Sequence, residues 1–192
     1  MNPPPEVVHW MFAVGFLFLG LCLLAETIVG REVWRRRSWR AYLWPGVAFL
    51  MGIFMWPVMV FFTSSAIHML AHGVWAQAMM VAGAAQLALV RGKIRSPVWD
   101  LTVPFALAVS GAAFLIHETN PWLFSRAAFL HHALGWTALV GALITTGRVF
   151  RPRSPVFNAG FALVFFAFAA LLFCDRNVAP IFGHLSPLAG AR

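Results

Sequence analysis

Charged residues are scarce in this chain. Only 10% of its 192 residues are Asp, Glu, Lys or Arg, whereas 61% are hydrophobic. Soluble domains carry about 25% charged residues, so this composition excludes an ordinary water-soluble domain. Acidic residues are the rarest charged type, with 6 against 14 basic residues. We therefore expect a membrane protein in which the few polar groups are concentrated at particular places.

Cysteine and catalytic motifs are also nearly absent. The two cysteines, Cys22 and Cys174, lie far apart and form no CxxC spacing, so the sequence gives no disulfide framework. The GxSxG, HExxH and P-loop signatures are missing, and no carboxylate is placed to orient a Ser–His pair. The sequence therefore gives little support for an enzyme.

Long apolar runs, in contrast, fill most of the chain. Several of them reach the roughly 20 residues that are needed to cross a hydrocarbon core of about 30 Å. Glycine, proline and basic residues separate one run from the next. The pattern predicts an all-α fold, with residues 1–192 forming one membrane domain of six transmembrane helices. The predicted helices cover residues 7–29, 41–61, 64–90, 98–117, 124–147 and 155–174.

The basic residues predict the orientation of this bundle. Eleven of the fourteen lie in the segments 31–40, 91–95 and 148–153, which follow the first, third and fifth predicted helices. By the positive-inside rule these segments are cytoplasmic, and both termini face outward. The positive charge then reflects contact with the lipid bilayer rather than with nucleic acid. We expect a bacterial-type cytoplasmic (inner) membrane.

All the histidines fall on the predicted outer side of the membrane. Imidazole is costly to place inside a bilayer, and it binds copper, zinc and haem iron well. A one-sided distribution therefore points to a binding site near the outer face. The seven are His9, His68, His72, His117, His131, His132 and His184.

Five of these histidines are predicted to meet. His68 and His72 are one turn apart near the outer end of the third helix, His117 ends the fourth, and His131 and His132 begin the fifth. The last two point about 100° apart, so at most one of them faces the same ligand. Two thioethers, Met69 and Met59, lie nearby and suit Cu(I). The predicted metal ligands are His68, His72, His117, His131, His132, Met69 and Met59.

Other interpretations of the polar residues stay open. A membrane subunit that binds haem b between two imidazoles, such as His72 with His132 or His68 with His117, would use the same residues. A lone interfacial histidine is usually an ordinary polar group, which is the interpretation that we favour for His9 and His184. In that case the chain would be an accessory subunit of a respiratory complex. Glu26 has two interpretations of its own, an ion pair with the nearby arginines or a proton or cation gate.

Three segments resemble a known family. The stretches His68-Met-Leu-Ala-His72, His117-Glu-Thr-Asn-Pro121 and Phe129-Leu-His-His-Ala-Leu-Gly135 look like motifs of the CtaG-type cytochrome oxidase assembly family, in the same order. The resemblance covers residues 66–147, and a weaker one to CopD-type copper-resistance membrane proteins points to the same metal. It implies a polytopic membrane protein that helps copper reach a haem–copper oxidase subunit or another respiratory membrane protein. Members of the CtaG-type family usually have an extra helix, and only one residue separates their histidine and proline.

Overall fold

The computed structural model describes residues 5–36, 39–62, 66–117 and 126–175. The predicted all-α class is confirmed, because these residues form seven α-helices and two 3₁₀ turns and no strand. Six helices are long and apolar enough to cross a membrane. The α-helices are α1 (Pro5–Val29), α2 (Arg31–Arg36), α3 (Leu43–Phe62), α4 (Ala66–Val90), α5 (Thr102–His117), α6 (Arg126–Phe150) and α7 (Pro155–Phe173), and the 3₁₀ turns are Arg40–Tyr42 and Pro97–Leu101.

Two glycines end helices at the basic end of the bundle. Gly30 has φ +90° and Gly92 has φ +67°, a left-handed conformation that only glycine adopts at little cost. After Gly30 the chain forms α2, a helix of six residues that is not predicted from the sequence. The buried Trp34 indole holds this segment in place, because its Nε1 donates to the carbonyl of Arg40 over 3.1 Å.

The six long helices form a closed ring. Each of α3, α4, α5, α6 and α7 packs against its neighbour in the chain, α1 packs against α3, and the extensive contact between α1 and α7 closes the circle. Trp10 and His9 at the start of α1 both contact Asp175, just beyond α7. Helices that are distant in the sequence, such as α4 and α6, therefore face each other across a common axis.

Glycines allow close contact between neighbouring helices in the ring. A methyl group at Gly111 on α5 would lie 2.8 Å from the carbonyl oxygen of Gly135 on α6. A methyl group at Gly52 on α3 would lie 2.6 Å from the carbonyl oxygen of Ala76 on α4. Without a hydrophobic force between helices in lipid, such backbone approach is a main source of packing energy.

Aromatic side chains fill the ring. Phe16 stacks on Phe168 with centroids 5.1 Å apart, Trp75 packs edge-on against Phe12 at 5.3 Å, and Phe161 is fully buried. Apart from Ser110, the buried polar side chains lie on either side of this aromatic layer. One end of the bundle holds histidines, and the other holds an ion-pair network next to the basic segments.

Candidate functional site

A small cavity lies on the axis of the ring, near the end where α1 begins. Its volume is about 40 Å³, and each of the six long helices contributes to its wall. His9, His72 and His131 line it together with the thioether of Met55. The rest of the wall is apolar and mostly aromatic, formed by Phe12, Phe16, Trp75, Phe114, Leu134, Phe168 and Leu172. Four potential metal donors from four helices thus border one cavity.

The rings of His72 and His131 lie edge-on to each other at the cavity. Their centroids are 6.4 Å apart and their planes are nearly perpendicular, at 87°. Phe114 contacts both rings, at 6.2 Å from His72 and 6.0 Å from His131. The imidazole of His131 is buried and that of His72 is partly buried, so both are shielded from bulk water.

An aspartate holds the third histidine of the cavity. His9 Nδ1 lies 2.5 Å from Asp175 Oδ2, and Trp10 Nε1 donates to the Asp175 carbonyl over 2.9 Å. The Asp175 side chain is buried. A carboxylate on one ring nitrogen fixes the orientation and tautomer of an imidazole, as it does for histidines that bind metals. The contact leaves Nε2 as the nitrogen of the His9 ring that can bind a metal ion.

The structure separates the other described candidates from this cavity. His132 follows His131 but points elsewhere, since about 100° of helical turn lies between them, and it does not line the cavity. Met69 is 54% exposed and borders a lateral groove on the lipid-facing side of α4. Met59 is buried one turn beyond Met55, near Gly73, and is not part of the cavity wall.

Three predicted histidines lack described side chains. His68 lies in the first turn of α4 and His117 is the last residue of α5, so the backbone puts both at the histidine end of their helices. Their side chains lie outside the described structure, as does the whole of His184. The predicted convergence of His68 and His117 with His72 stays a prediction.

Sequence reasoning missed three residues that border or support the site. The sequence favours an ordinary interfacial role for His9, and neither Met55 nor Asp175 is among the ligands predicted from it. The ring closure between α1 and α7 brings His9 and Asp175 together, and it leaves no local trace in the sequence. Met51, Met55 and Met59 are spaced four residues apart in the sequence and share one face of α3, but only the packing of α3 shows that Met55 borders the cavity.

The distance between the imidazole rings of His72 and His131 restricts the coordination geometry of a metal ion bound by both. With bonds of about 2 Å, two imidazoles have centroids about 5 Å apart in a tetrahedral site and about 6 Å apart when they bind on opposite sides of the ion. The observed centroid distance of 6.4 Å is closer to the second value. Among the described residues no group of three or more His, Cys, Asp and Glu side chains could hold a metal ion. The donors here are therefore two imidazoles with a thioether beside them, rather than a zinc-type cluster.

A second polar cluster occupies the opposite end of the bundle. Arg148 donates from Nη2 to Glu26 Oε1 over 3.1 Å and from Nε to Asn158 Oδ1 over 2.8 Å, and its guanidinium lies 5.0 Å above the Phe161 ring. Glu26 is 5% exposed and Arg148 is 9% exposed. The predicted pairing of Glu26 with a nearby arginine is thus present, and the closer partner is Arg148 rather than Arg31, whose Nε lies 3.7 Å away.

Comparisons with known proteins give no further assignment. No family model matches the chain, and no curated protein and no solved structure matches it. The residues and contacts of the bundle are therefore the basis for a functional proposal.

Proposed function

We propose that this protein is a membrane-embedded copper-handling protein, which binds Cu(I) inside the bundle near its histidine end. The ligands are His72 and His131, with the thioether of Met55 as the third donor. One observation carries the proposal. The ring centroids of two imidazoles lie 6.4 Å apart in the wall of a cavity that Met55 also borders.

The chemistry of these donors favours Cu(I) over other ions. Imidazole and thioether are neutral ligands, so a monovalent ion adds less uncompensated charge to the apolar interior than a divalent ion would. Thioethers bind Cu(I) well, whereas Mg²⁺ and Ca²⁺ require oxygen ligands that this wall does not supply. The aromatic rings around the cavity further stabilise a cation through their faces.

The size of the cavity fits an ion. A volume of about 40 Å³ accommodates a metal ion or a water molecule, since a single water needs about 10–15 Å³ by this measure. A partly exposed side chain of His72 gives a route of entry from the surface. His9, which Asp175 orients, stands next to the ligands and can pass the ion to or from them.

The recipient follows from the orientation and from the family resemblance. The basic segments and the histidine cavity lie at opposite ends of the bundle, which supports, through the positive-inside rule, a cavity on the outer side of a bacterial-type inner membrane. The likeness to the CtaG-type family makes a haem–copper oxidase subunit the expected acceptor. The protein would then hold Cu(I) at the outer face until this partner binds it.

A titration with Cu(I) tests the binding function. The purified protein in detergent, with ascorbate present, competes for Cu(I) with a chromophoric chelator. Replacing His72 or His131 by alanine is expected to weaken binding by at least about a hundredfold, or ~2.7 kcal/mol, because each ligand is lost outright. His132→Ala is the matched control, since it removes an adjacent histidine outside the cavity. Equal affinity in His131→Ala and His132→Ala would refute the assignment.

Haem b is the second candidate, because its two axial imidazoles also bind on opposite sides of the metal. The spacing and perpendicular planes of His72 and His131 satisfy that geometry. The cavity between them is much smaller than a porphyrin, and Phe114 contacts both rings, so the packing favours an ion. An absorption spectrum distinguishes the two candidates. A Soret band with sharp α and β bands after dithionite reduction would identify the bound group as haem b rather than copper.

A further inference from the structure

The histidine cavity is the first of three cavities in a row along the bundle. A second, of about 30 Å³, shares four wall residues with it, namely Phe16, Trp75, Phe114 and Phe168. A third, of about 310 Å³, shares Val103 with the second. The third has the exposed residues Glu32, Pro97 and Pro152 in its wall, so it reaches the surface at the basic end. The row therefore extends from one end of the bundle to the other.

Helix α4 contributes one polar or polarizable side chain to each of the three cavities. These are His72, Met79 and Gln86, which are seven residues apart and so lie on the same face of the helix. At 1.5 Å per residue, about 10 Å of helix separates each from the next. The remaining interior positions of this face, such as Trp75 and Ala82, are apolar.

The middle cavity has the chemistry of a weak site for a soft cation. Met79 supplies a thioether and Ser110 a hydroxyl oxygen, and both side chains are buried. Trp44 and Trp75 add the faces or edges of two indoles to the wall. Conduction requires sites that bind strongly enough to admit an ion and weakly enough to release it. One thioether meets that requirement better than a full ligand set would.

Two arginines in the wall of the third cavity are held very differently. Arg148 makes hydrogen bonds of 2.8 and 3.1 Å. Arg31 lies 3.7 Å from both Glu26 and Asp100, and within the described chain its buried Nε has no hydrogen-bond partner. It also follows directly after Gly30, where α1 ends at φ +90°. Of these two arginines, Arg31 therefore has the longer contacts and is the more weakly held.

From these features we infer that the interior of the ring conducts Cu(I) between the two ends of the bundle. Met79 binds the ion midway, and Arg31 blocks the route at the basic end until its side chain moves. The inference rests on the proposed copper-binding function and extends it from capture to translocation. When Arg31 swings away, the carboxylate of Asp100 becomes available to the cation beside Gln86, whose Nε2 donates to it over 3.2 Å. No redox step is involved, because Cu(I) enters and leaves in the same oxidation state.

Uptake into proteoliposomes tests the route. The full-length protein is reconstituted into vesicles that contain an impermeant Cu(I) chelator, and Cu(I) is added outside with ascorbate. We expect protein-dependent uptake that Met79→Leu lowers by about tenfold, because leucine keeps the volume but removes the sulfur. Met69→Leu is the matched control, since Met69 lies on the same helix but on its exposed face. Arg31→Gln is expected to raise the rate, whereas Arg153→Gln, at an exposed pair, should leave it unchanged.

Binding measured on the same samples separates the two proposals. If wild-type protein binds Cu(I) through His72 and His131 but takes up no more than empty vesicles, translocation is refuted and the binding function stands. Uptake that is equal in Met79→Leu and wild type would show that Met79 is not on the route. An unchanged rate of Cu(I) uptake in Arg31→Gln would show that Arg31 does not block it. A wild-type protein that does not bind Cu(I) refutes the proposed function itself.

Discussion

The two ends of the bundle bury polar groups in opposite ways. At the basic end, a carboxylate and a guanidinium neutralise each other, and Glu26 and Arg148 are joined over 3.1 Å with Asn158 as a further partner. At the histidine end, two imidazoles and a thioether, neutral groups that bind soft metals, border a cavity. The first arrangement pairs opposite charges, whereas the second groups donors that suit a soft metal ion around a small cavity.

This difference indicates how to interpret polar residues inside a membrane. Both clusters are costly in lipid, so cost alone does not distinguish a structural group from a binding group. The distinguishing property is what surrounds the donors. The guanidinium of Arg148 lies over Phe161 and is fixed by its neighbours, whereas His72 and His131 line a cavity together with a thioether.

Breaking the ion pair at the basic end should have the largest effect on stability. Glu26→Gln leaves the buried Arg148 with no carboxylate at 3.1 Å, and we expect a loss of about 3–5 kcal/mol of unfolding free energy. Glu32→Gln is the control, because its pair with Arg153 is exposed and contributes little. Unfolding in detergent, followed by circular dichroism, measures both. Equal stability of the two variants would show that the network is not structural.

Helix spacing in the middle of the bundle should matter next. Gly111→Ala puts a methyl group 2.8 Å from the Gly135 carbonyl, and overpacking of this kind costs about 1–3 kcal/mol. Gly46→Ala is matched to it, since a methyl group there meets nothing within 4 Å. We expect a lower unfolding temperature for the first variant only. If both behave alike, the close contact between α5 and α6 is absent in the membrane.

Replacing the thioether at the histidine end should act on binding and not on stability. Met55→Leu is expected to lower the affinity for Cu(I) by about tenfold, or ~1.4 kcal/mol, because the volume is kept and the sulfur is lost. Met59→Leu provides the control, since it is buried on the same helix but lies outside the cavity wall. The chelator competition assay measures both. A larger loss of Cu(I) affinity in Met59→Leu than in Met55→Leu would favour Met59, the thioether ligand predicted from the sequence.

The smallest effect is expected at Asp175. Asp175→Asn keeps a polar partner for His9 but removes the charge, so we expect the affinity for Cu(I) to fall by about threefold, in line with one hydrogen bond. The same competition assay detects it. A loss as large as that of His131→Ala would instead make His9 a direct ligand.

The sequence was sufficient to predict the bundle, because long apolar runs and their glycine and proline boundaries are local signals. All-α class and six spanning helices are confirmed. The short helix α2 was missed, because a six-residue helix after Gly30 produces no long apolar run. The helix ends also differ by a few residues, as at Arg126–Phe150, where a range of 124–147 was predicted.

The site could be predicted only in part, because its residues come from helices whose packing is not local. The one-sided distribution of histidines predicts His72, and the angle of about 100° between His131 and His132 predicts that at most one of that pair faces a shared ligand. The haem pair predicted from the sequence uses His132, whereas His131 lines the cavity. The selection of Met55 over Met59 depends on the rotation of α3, and the contact of His9 with Asp175 depends on the closure of the ring. A sequence pattern restricts which residues can bind, but the tertiary fold decides which ones meet.

The most direct test of the copper site is X-ray absorption at the copper K-edge of the Cu(I)-loaded protein, measured for wild type and Met55→Leu. The account predicts a shell of imidazole nitrogens with one sulfur in wild type, and the loss of that sulfur in Met55→Leu. A wild-type shell without sulfur, or a sulfur that persists in Met55→Leu, would contradict a site formed by His72, His131 and Met55.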